Sequence, residues 1–223
     1  MNAAAGRAQR RERAGIAGLY FLADDDPRWR RDPVSQARAA LAGGARVVQL
    51  RAKQATDAQA LVWAEAIRDL CRAHGALFFL NDRFDLALAA GADGVHLGQH
   101  DLAPAQLPAE ARARLLIGRS THTIGEALAA CAGPVDYVAF GPVFGTTSKD
   151  SPHPARGLGA LAEAAHRVAP LPLAAIGGIG AARAGEVVRA GAAAVCAISA
   201  VAGADDMESA ARELVRSIEA ARA

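Results

Sequence analysis

The stretch AGGARVVQLRAK, residues 42 to 53, carries the reading on which the fold turns. It opens with two glycines behind an amphipathic segment, where a left-handed residue can end a helix and turn the chain back. It continues as a short apolar run, ARVVQL (45 to 50), with the character of a strand buried on both faces. It then ends in cations. Side chains alternate along an extended chain, so Gln49, Arg51 and Lys53 share one face while Val48 and Leu50 take the other. Enclosing two cations without partners is costly, so Arg51 and Lys53 should face a carboxylate such as Asp82 or Asp101, or a bound anion.

The glycine phrase recurs as AGAD (90 to 93) and AGAA (190 to 193), each time just before an apolar run. This marks a repeated β-α unit. Strands are expected at 18 to 23, 45 to 50, 77 to 81, 94 to 97, 115 to 118, 137 to 141, 173 to 177 and 194 to 199. Helices are expected near 33 to 43, 57 to 74, 83 to 90, 104 to 113, 124 to 132, 158 to 169, 181 to 190 and 206 to 222. The second helix has the 3.6-residue period, with Leu61, Ala64, Ile67, Leu70 and Cys71 on one face, Asp57 placed to cap its start and Gly75 to end it. Eight units without a linker imply a single-domain α/β protein, a (β/α)₈ TIM barrel over 16 to 223, somewhat below the usual length of about 250 residues. An open doubly wound sheet is the alternative. It would place phosphate-binding glycines after the first strand, where this chain has DDDPRW.

Composition narrows the function classes. The chain has 223 residues and a formal net charge of only +2, without the basic field of a nucleic-acid binder. No segment reaches the roughly 18 apolar residues of a membrane span. GRAQRRERAG lacks apolar periodicity and reads as a disordered, solvated basic arm over 1 to 15. Followed by AGIAGLYFLA it imitates a secretory signal, but the run ends in Asp24, Asp25 and Asp26 with no small-residue cleavage site, so a cytoplasmic protein is expected. Cys71, Cys131 and Cys196 are odd in number and widely spaced, which suggests free thiols rather than a disulfide framework or a zinc cluster.

In a barrel, the residues at the carboxyl ends of the strands make the site. Beside Arg51 and Lys53, the third strand runs into Asn81 and Asp82, and HLGQHD after the fourth ends in Asp101. Two carboxylates from neighbouring strand ends form an oxygen-only site suited to Mg²⁺. His96 and His100 are not aligned for zinc, because Gly98 separates them and the segment is strand end plus loop. GRSTHT offers Ser120 as a hydrogen-bonding group and His122 as a wall residue. The loop with Thr146, Thr147, Ser148 and Lys149 joins hydroxyls to an ammonium, a set suited to phosphate oxygens. Gly178, Ile198 and Ser199, after strands seven and eight, form a phosphate cradle that joins the hydroxyl loop as one monophosphate site, while Arg51, Lys53, Lys149 and a metal make the diphosphate site. One anion site sized for a diphosphate and another sized for a monophosphate point to an enzyme that joins two phosphorylated small molecules.

Taken in order, QLRAK, NDR, GVHLGQHD, the serine of GRSTH, GPVFGTTSK, AIGGI and AISA resemble the thiamine phosphate synthase family over residues 49 to 200. The resemblance implies a Mg²⁺-dependent transferase that condenses a hydroxymethylpyrimidine diphosphate with a thiazole phosphate, carboxylated or not, to give thiamine phosphate and diphosphate. It implies pyrimidine-diphosphate contacts at Gln49, Leu50, Arg51, Ala52, Lys53, Asn81, Ser120 and Lys149. Arg51, Lys53 and Lys149 would be the catalytic cations. Thiazole-phosphate contacts are implied at Thr146, Thr147, Ser148, Gly178, Ile198 and Ser199, and metal ligands at Asp82 and Asp101. Members often self-associate, so a homo-oligomer is compatible with it; neither nucleic acid nor membrane is an expected partner. The chain departs from the family pattern at Ala52, His100, Gly145 and Ser148. Two other readings are a related thiazole tautomerase, in which His122 would move the proton, and a non-catalytic binding barrel.

Overall fold

The computed structural model describes residues 15–145 and 153–223. The basic arm, apart from Gly15, and the loop residues Thr146, Thr147, Ser148 and Lys149 lie outside the described residues. Among the described residues eight parallel strands close in chain order: β1 (Gly18–Asp24), β2 (Val47–Arg51), β3 (Leu77–Asn81), β4 (Gly94–Leu97), β5 (Leu116–Thr121), β6 (Tyr137–Phe140), β7 (Leu173–Ala175) and β8 (Ala194–Ala197). The pairing of β8 with β1, from Gly18 opposite Ala194 to Phe21 opposite Ala197, distinguishes this barrel from an open sheet. The helices are α1 (Pro33–Ala42), α2 (Asp57–His74), α3 (Phe84–Ala90), α4 (Ala109–Arg114), α5 (Ile124–Cys131), α6 (Gly157–Val168), α7 (Ala181–Arg189), α8 (Ser199–Ala202) and α9 (Met207–Ala220).

Two local expectations are corrected. The helix expected over 104 to 113 is a 3-10 turn, Pro104–Gln106, followed by α4. Pro108 lacks an N–H and forces Leu107 into an extended conformation, with φ −61 and ψ 146, so one helix cannot run through. Asp57 does not cap α2. Thr56 is the extended residue whose hydroxyl accepts the Gln59 N–H, and Asp57 is the first helical residue, with its carboxylate on Arg83. The glycine phrases act as expected: Gly44, Gly91 and Gly191 have φ of 99, 66 and 100, turning helix ends into strands.

Strand alternation creates two apolar layers. Val48, Leu50 and Phe78 face outward against Ala64 and Ile67 of α2 and their counterparts on other helices. Tyr20, Leu22, Val47, Phe79, Tyr137 and Cys196 fill the lumen. The Tyr20 and Tyr137 ring centroids lie 5.9 Å apart, and Phe79 meets Tyr137 edge-on at 5.6 Å. Small residues opposite make room for these rings. A Cβ on Gly94 would sit 2.2 Å from the Phe79 ring, and one on Gly118 would sit 2.2 Å from that of Tyr137. A packed lumen closes the barrel below its carboxyl-terminal mouth and leaves that end to carry chemistry.

Candidate active site at the barrel mouth

Gln49 and Arg51 do share the lumenal face of β2; Gln49 is buried, and Arg51 rises from the layer above it. Leu50 is buried in the outer layer and Ala52 packs against that layer, so neither side chain faces the mouth. Alternation accounts for both, and any ligand contact at these two positions would fall to the backbone.

The cations already have partners. Arg51 donates to Asp24 Oδ2 at 2.8 Å, and Lys53 pairs with Asp82. The expected carboxylate partner is borne out for Lys53, which meets Asp82, while the partner of Arg51 and the enclosure of Lys53 are corrected. Arg51 is held by the carboxylate ending β1 rather than by Asp82 or Asp101. The Lys53 side chain is 47% exposed, so water shares its solvation. Asp24 is fully buried and also accepts the Asp26 N–H, while Gln36 grips its backbone from α1. Asp25 accepts the N–H groups of Lys53, Gln54 and Ala55. The loop after β1 thus shapes the loop after β2. In the sequence DDDPRW spoke against an open sheet and a secretory signal but not for a partner of Arg51; the available signal was a carboxylate cluster ending the strand before the one that ends in cations.

Asp82 follows β3 in a left-handed conformation, φ 63, unusual for a residue with a side chain. Its N–H donates to the His96 carbonyl at 2.8 Å, which ties the turn to β4. Asp101 reaches the same place from the next loop, with Oδ2 accepting the Gly98 N–H at 2.6 Å. The two carboxyls are hydrogen-bonded to each other. Burial works against charge on Asp82, but hydrogen bonds from Asp101 and Lys53 and the nearby ammonium outweigh it, holding Asp82 below the usual carboxylate range. Burial and the bond to Asp82 push Asp101 upward. Two carboxyl groups converging from adjacent loops form an oxygen donor set suited to a hard divalent cation.

Beside this rim, Gln49, Ser120, Gly178, Ile198 and Ser199 line one cavity. Its floor is a hydrogen-bonded chain. Gln49 Nε2 donates to Tyr20 Oη at 2.7 Å, Tyr20 and Tyr137 hydroxyls meet at 2.7 Å, Tyr137 lies 2.8 Å from His96 Nδ1, and His96 Nε2 lies 2.8 Å from Ser120 Oγ. Burial pushes both phenols well above their ordinary values, so they stay protonated. Gln49 Oε1 is buried and has no hydrogen-bond partner among the described residues. Tyr20 and Tyr137, unremarked in the sequence, and His96, considered there only for zinc, line this cavity because the strand register brings them together.

The far wall is backbone. Phe144 N–H donates to the Gly177 carbonyl at 3.0 Å, so the loops after β6 and β7 run side by side. Gly178 has φ 64, and a Cβ there would lie 2.3 Å from the Gly145 carbonyl oxygen. The absence of a side chain at Gly178 is what lets the neighbouring loop pass this close. Ser199 begins α8 directly after Ile198. His122 bonds through Nδ1 to the Gly141 carbonyl at 2.7 Å and stacks on His153 at 3.8 Å, a wall position with one ring nitrogen spoken for.

A family model described as thiamine monophosphate synthase matches residues 19–201. The thiamine-phosphate synthase of Anaeromyxobacter dehalogenans (strain 2CP-C) is 47% identical over 211 residues, 95% of this chain and 92% of its own. That of Chlorobium limicola is 46% identical over 202 residues, covering 88% and 91%. A solved thiamine phosphate pyrophosphorylase from Pyrococcus furiosus superposes with a TM-score of 0.84 at 36% identity, covering 94% of this chain and 99% of that one.

Proposed function

The chain belongs to the thiamine monophosphate synthase family, and from that premise we propose how its barrel mouth divides the reaction. It is an enzyme of thiamine biosynthesis, a transferase that condenses a pyrimidine and a thiazole phosphate. The isomerase reading through His122 and the non-catalytic reading are not favoured by these relatives.

The finer assignment is ours. The pyrimidine carries a diphosphate, and the thiazole, carboxylated or not, carries a monophosphate. Asp82 and Asp101 would hold Mg²⁺, and the observation that supports this is their mutual hydrogen bond at adjacent strand ends beside Lys53. The ion, when bound, supplies positive charge to the departing diphosphate. Arg51 donates to the same oxygens from a guanidinium already oriented by Asp24, so little ordering is needed when charge develops. Lys53 and, from the undescribed loop, Lys149 add ammonium donors, and Asn81 an amide. Gln49 and Ser120 hold the pyrimidine ring in the cavity, with Leu50 and Ala52 offering backbone only. The methylene carbon shares its developing cation with the electron-rich ring as the C–O bond to diphosphate breaks, and the thiazole nitrogen attacks it. Gly178, Ile198, Ser199 and the loop residues Thr146, Thr147 and Ser148 keep that nucleophile close through its phosphate. No covalent bond to the enzyme is formed.

A cytoplasmic setting belongs to the same proposal, supported by Cys71 and Cys196 being buried as small core residues. So does self-association, supported by family habit alone. Incubating the protein with both phosphorylated precursors, with and without Mg²⁺, tests the reading. Coupled product only with Mg²⁺ supports it; full turnover in excess chelator contradicts the metal assignment.

A further inference from the structure

We infer that Tyr20, Tyr137 and His96 are positioning residues whose hydrogen-bonded chain fixes the polarity of the cavity, making Gln49 present an acceptor and Ser120 a donor to the ring bound between them. The inference rests on the reading above in one respect, that Gln49 and Ser120 touch the pyrimidine.

Proton counting along the chain carries it. With the Gln49 amide nitrogen on Tyr20, that phenol oxygen accepts at 2.7 Å, and its single hydrogen must go elsewhere. Its other partner is Tyr137, 2.7 Å away. Tyr137, accepting there, directs its own hydrogen to His96 Nδ1 at 2.8 Å. A neutral imidazole that accepts at Nδ1 carries its proton on Nε2 and donates it to Ser120 Oγ at 2.8 Å. Ser120 then has its own hydrogen left for the cavity, and Gln49 has Oε1, which is buried and without a partner among the described residues. Five groups from β2, β1, β6, β4 and β5 thus have one consistent direction. Reversing any one of them alone would leave a buried hydroxyl or amide without a partner, which is costly in a closed lumen, so the direction set by the Gln49 amide is passed along the whole chain and only a concerted reversal of all five escapes that cost.

The matching ligand edge has an N–H donor facing Gln49 and a ring-nitrogen acceptor facing Ser120. An aminopyrimidine has that edge; the corresponding pyrimidinone, with a carbonyl and a ring N–H, has it inverted. Deleting one phenol oxygen uncouples Gln49 from Ser120, so either end can turn alone and discrimination between the two should fall while the cavity keeps its shape.

Calorimetric titration with unreactive monophosphates tests this, using 4-amino-5-hydroxymethyl-2-methylpyrimidine monophosphate and its 4-oxo counterpart. The wild-type enzyme is expected to prefer the amino compound. Y20F and Y137F should each lower that preference roughly tenfold, the worth of about one net hydrogen bond, with thiazole phosphate affinity unchanged. The Y20F/Y137F double variant should lose no more than either single one, because the chain acts as a unit. Unchanged preference in both single variants, or losses that multiply in the double, overturns the inference. Q49A separates the layers: if it loses preference while Y20F and Y137F do not, Gln49 touches the ring and the positioning role is wrong. If Q49A changes neither affinity nor preference, the underlying reading of the cavity is wrong.

Discussion

The two halves of the barrel mouth solve opposite problems. Over β1 to β4 the surface is made of charge: Arg51 on Asp24, Lys53 on Asp82, and Asp82 against Asp101. Over β5 to β8 the described cavity lining is chiefly hydroxyl and backbone, with Ser120, Gly178, Ile198 and Ser199 around a cavity floored by phenols, while Lys149 belongs to the loop outside the described residues. The charged half suits a group that leaves with high negative charge, and the neutral half suits a ring and a nucleophile that must be held without being trapped. The difference also appears in what supports each half. The charged side is held by paired ions, which are costly to break; the neutral side depends on the absence of atoms.

The most severe test of this division is Asp82→Asn. Asparagine tolerates the left-handed backbone at this position, so the fold should survive, and Mg²⁺-dependent turnover should vanish in steady-state assays. Next is Arg51→Ala, expected to cost roughly 10²–10³-fold in kcat, the scale of one lost oxyanion donor. It should also lower stability by about 3 kcal/mol in urea unfolding, because Asp24 would be left buried and unpaired. Gly118→Ala probes the lumen beneath both halves. Its methyl collides with Tyr137, so a loss of about 1–3 kcal/mol is expected, with kinetics altered for both substrates. Gly178→Ala should cost about 1–2 kcal/mol, from its positive φ and the Gly145 carbonyl, and should raise the thiazole-side KM with little effect on the pyrimidine side. The smallest effect on stability belongs to Lys53→Ala, within about 0.5 kcal/mol, since its ion pair is half in water.

Much of this division was legible in the sequence. Eight apolar runs and recurrent helix-ending glycines specify a closed barrel, because both are local patterns. The lumenal facing of Gln49 and Arg51 followed from alternation alone. The identity of Arg51's partner did not, since Asp24 lies 27 positions away among three adjacent aspartates and only the β1–β2 register selects it. The phenol chain was further out of reach. Tyr20 and Tyr137 are 117 residues apart, and each looks like an ordinary strand aromatic until the barrel closes. Leu50 and Ala52 show the converse: a motif reads as one block, while the pleat turns alternate members away from the site.

Binding of inorganic diphosphate with Mg²⁺ tests the division of the mouth most directly, compared by calorimetry in wild type, Asp82→Asn and Gly178→Ala. The account predicts Mg²⁺-dependent affinity in the wild type, its loss in Asp82→Asn and its retention in Gly178→Ala. Equal binding by Asp82→Asn, or loss confined to Gly178→Ala, would place the leaving group on the other side of the barrel and contradict the account.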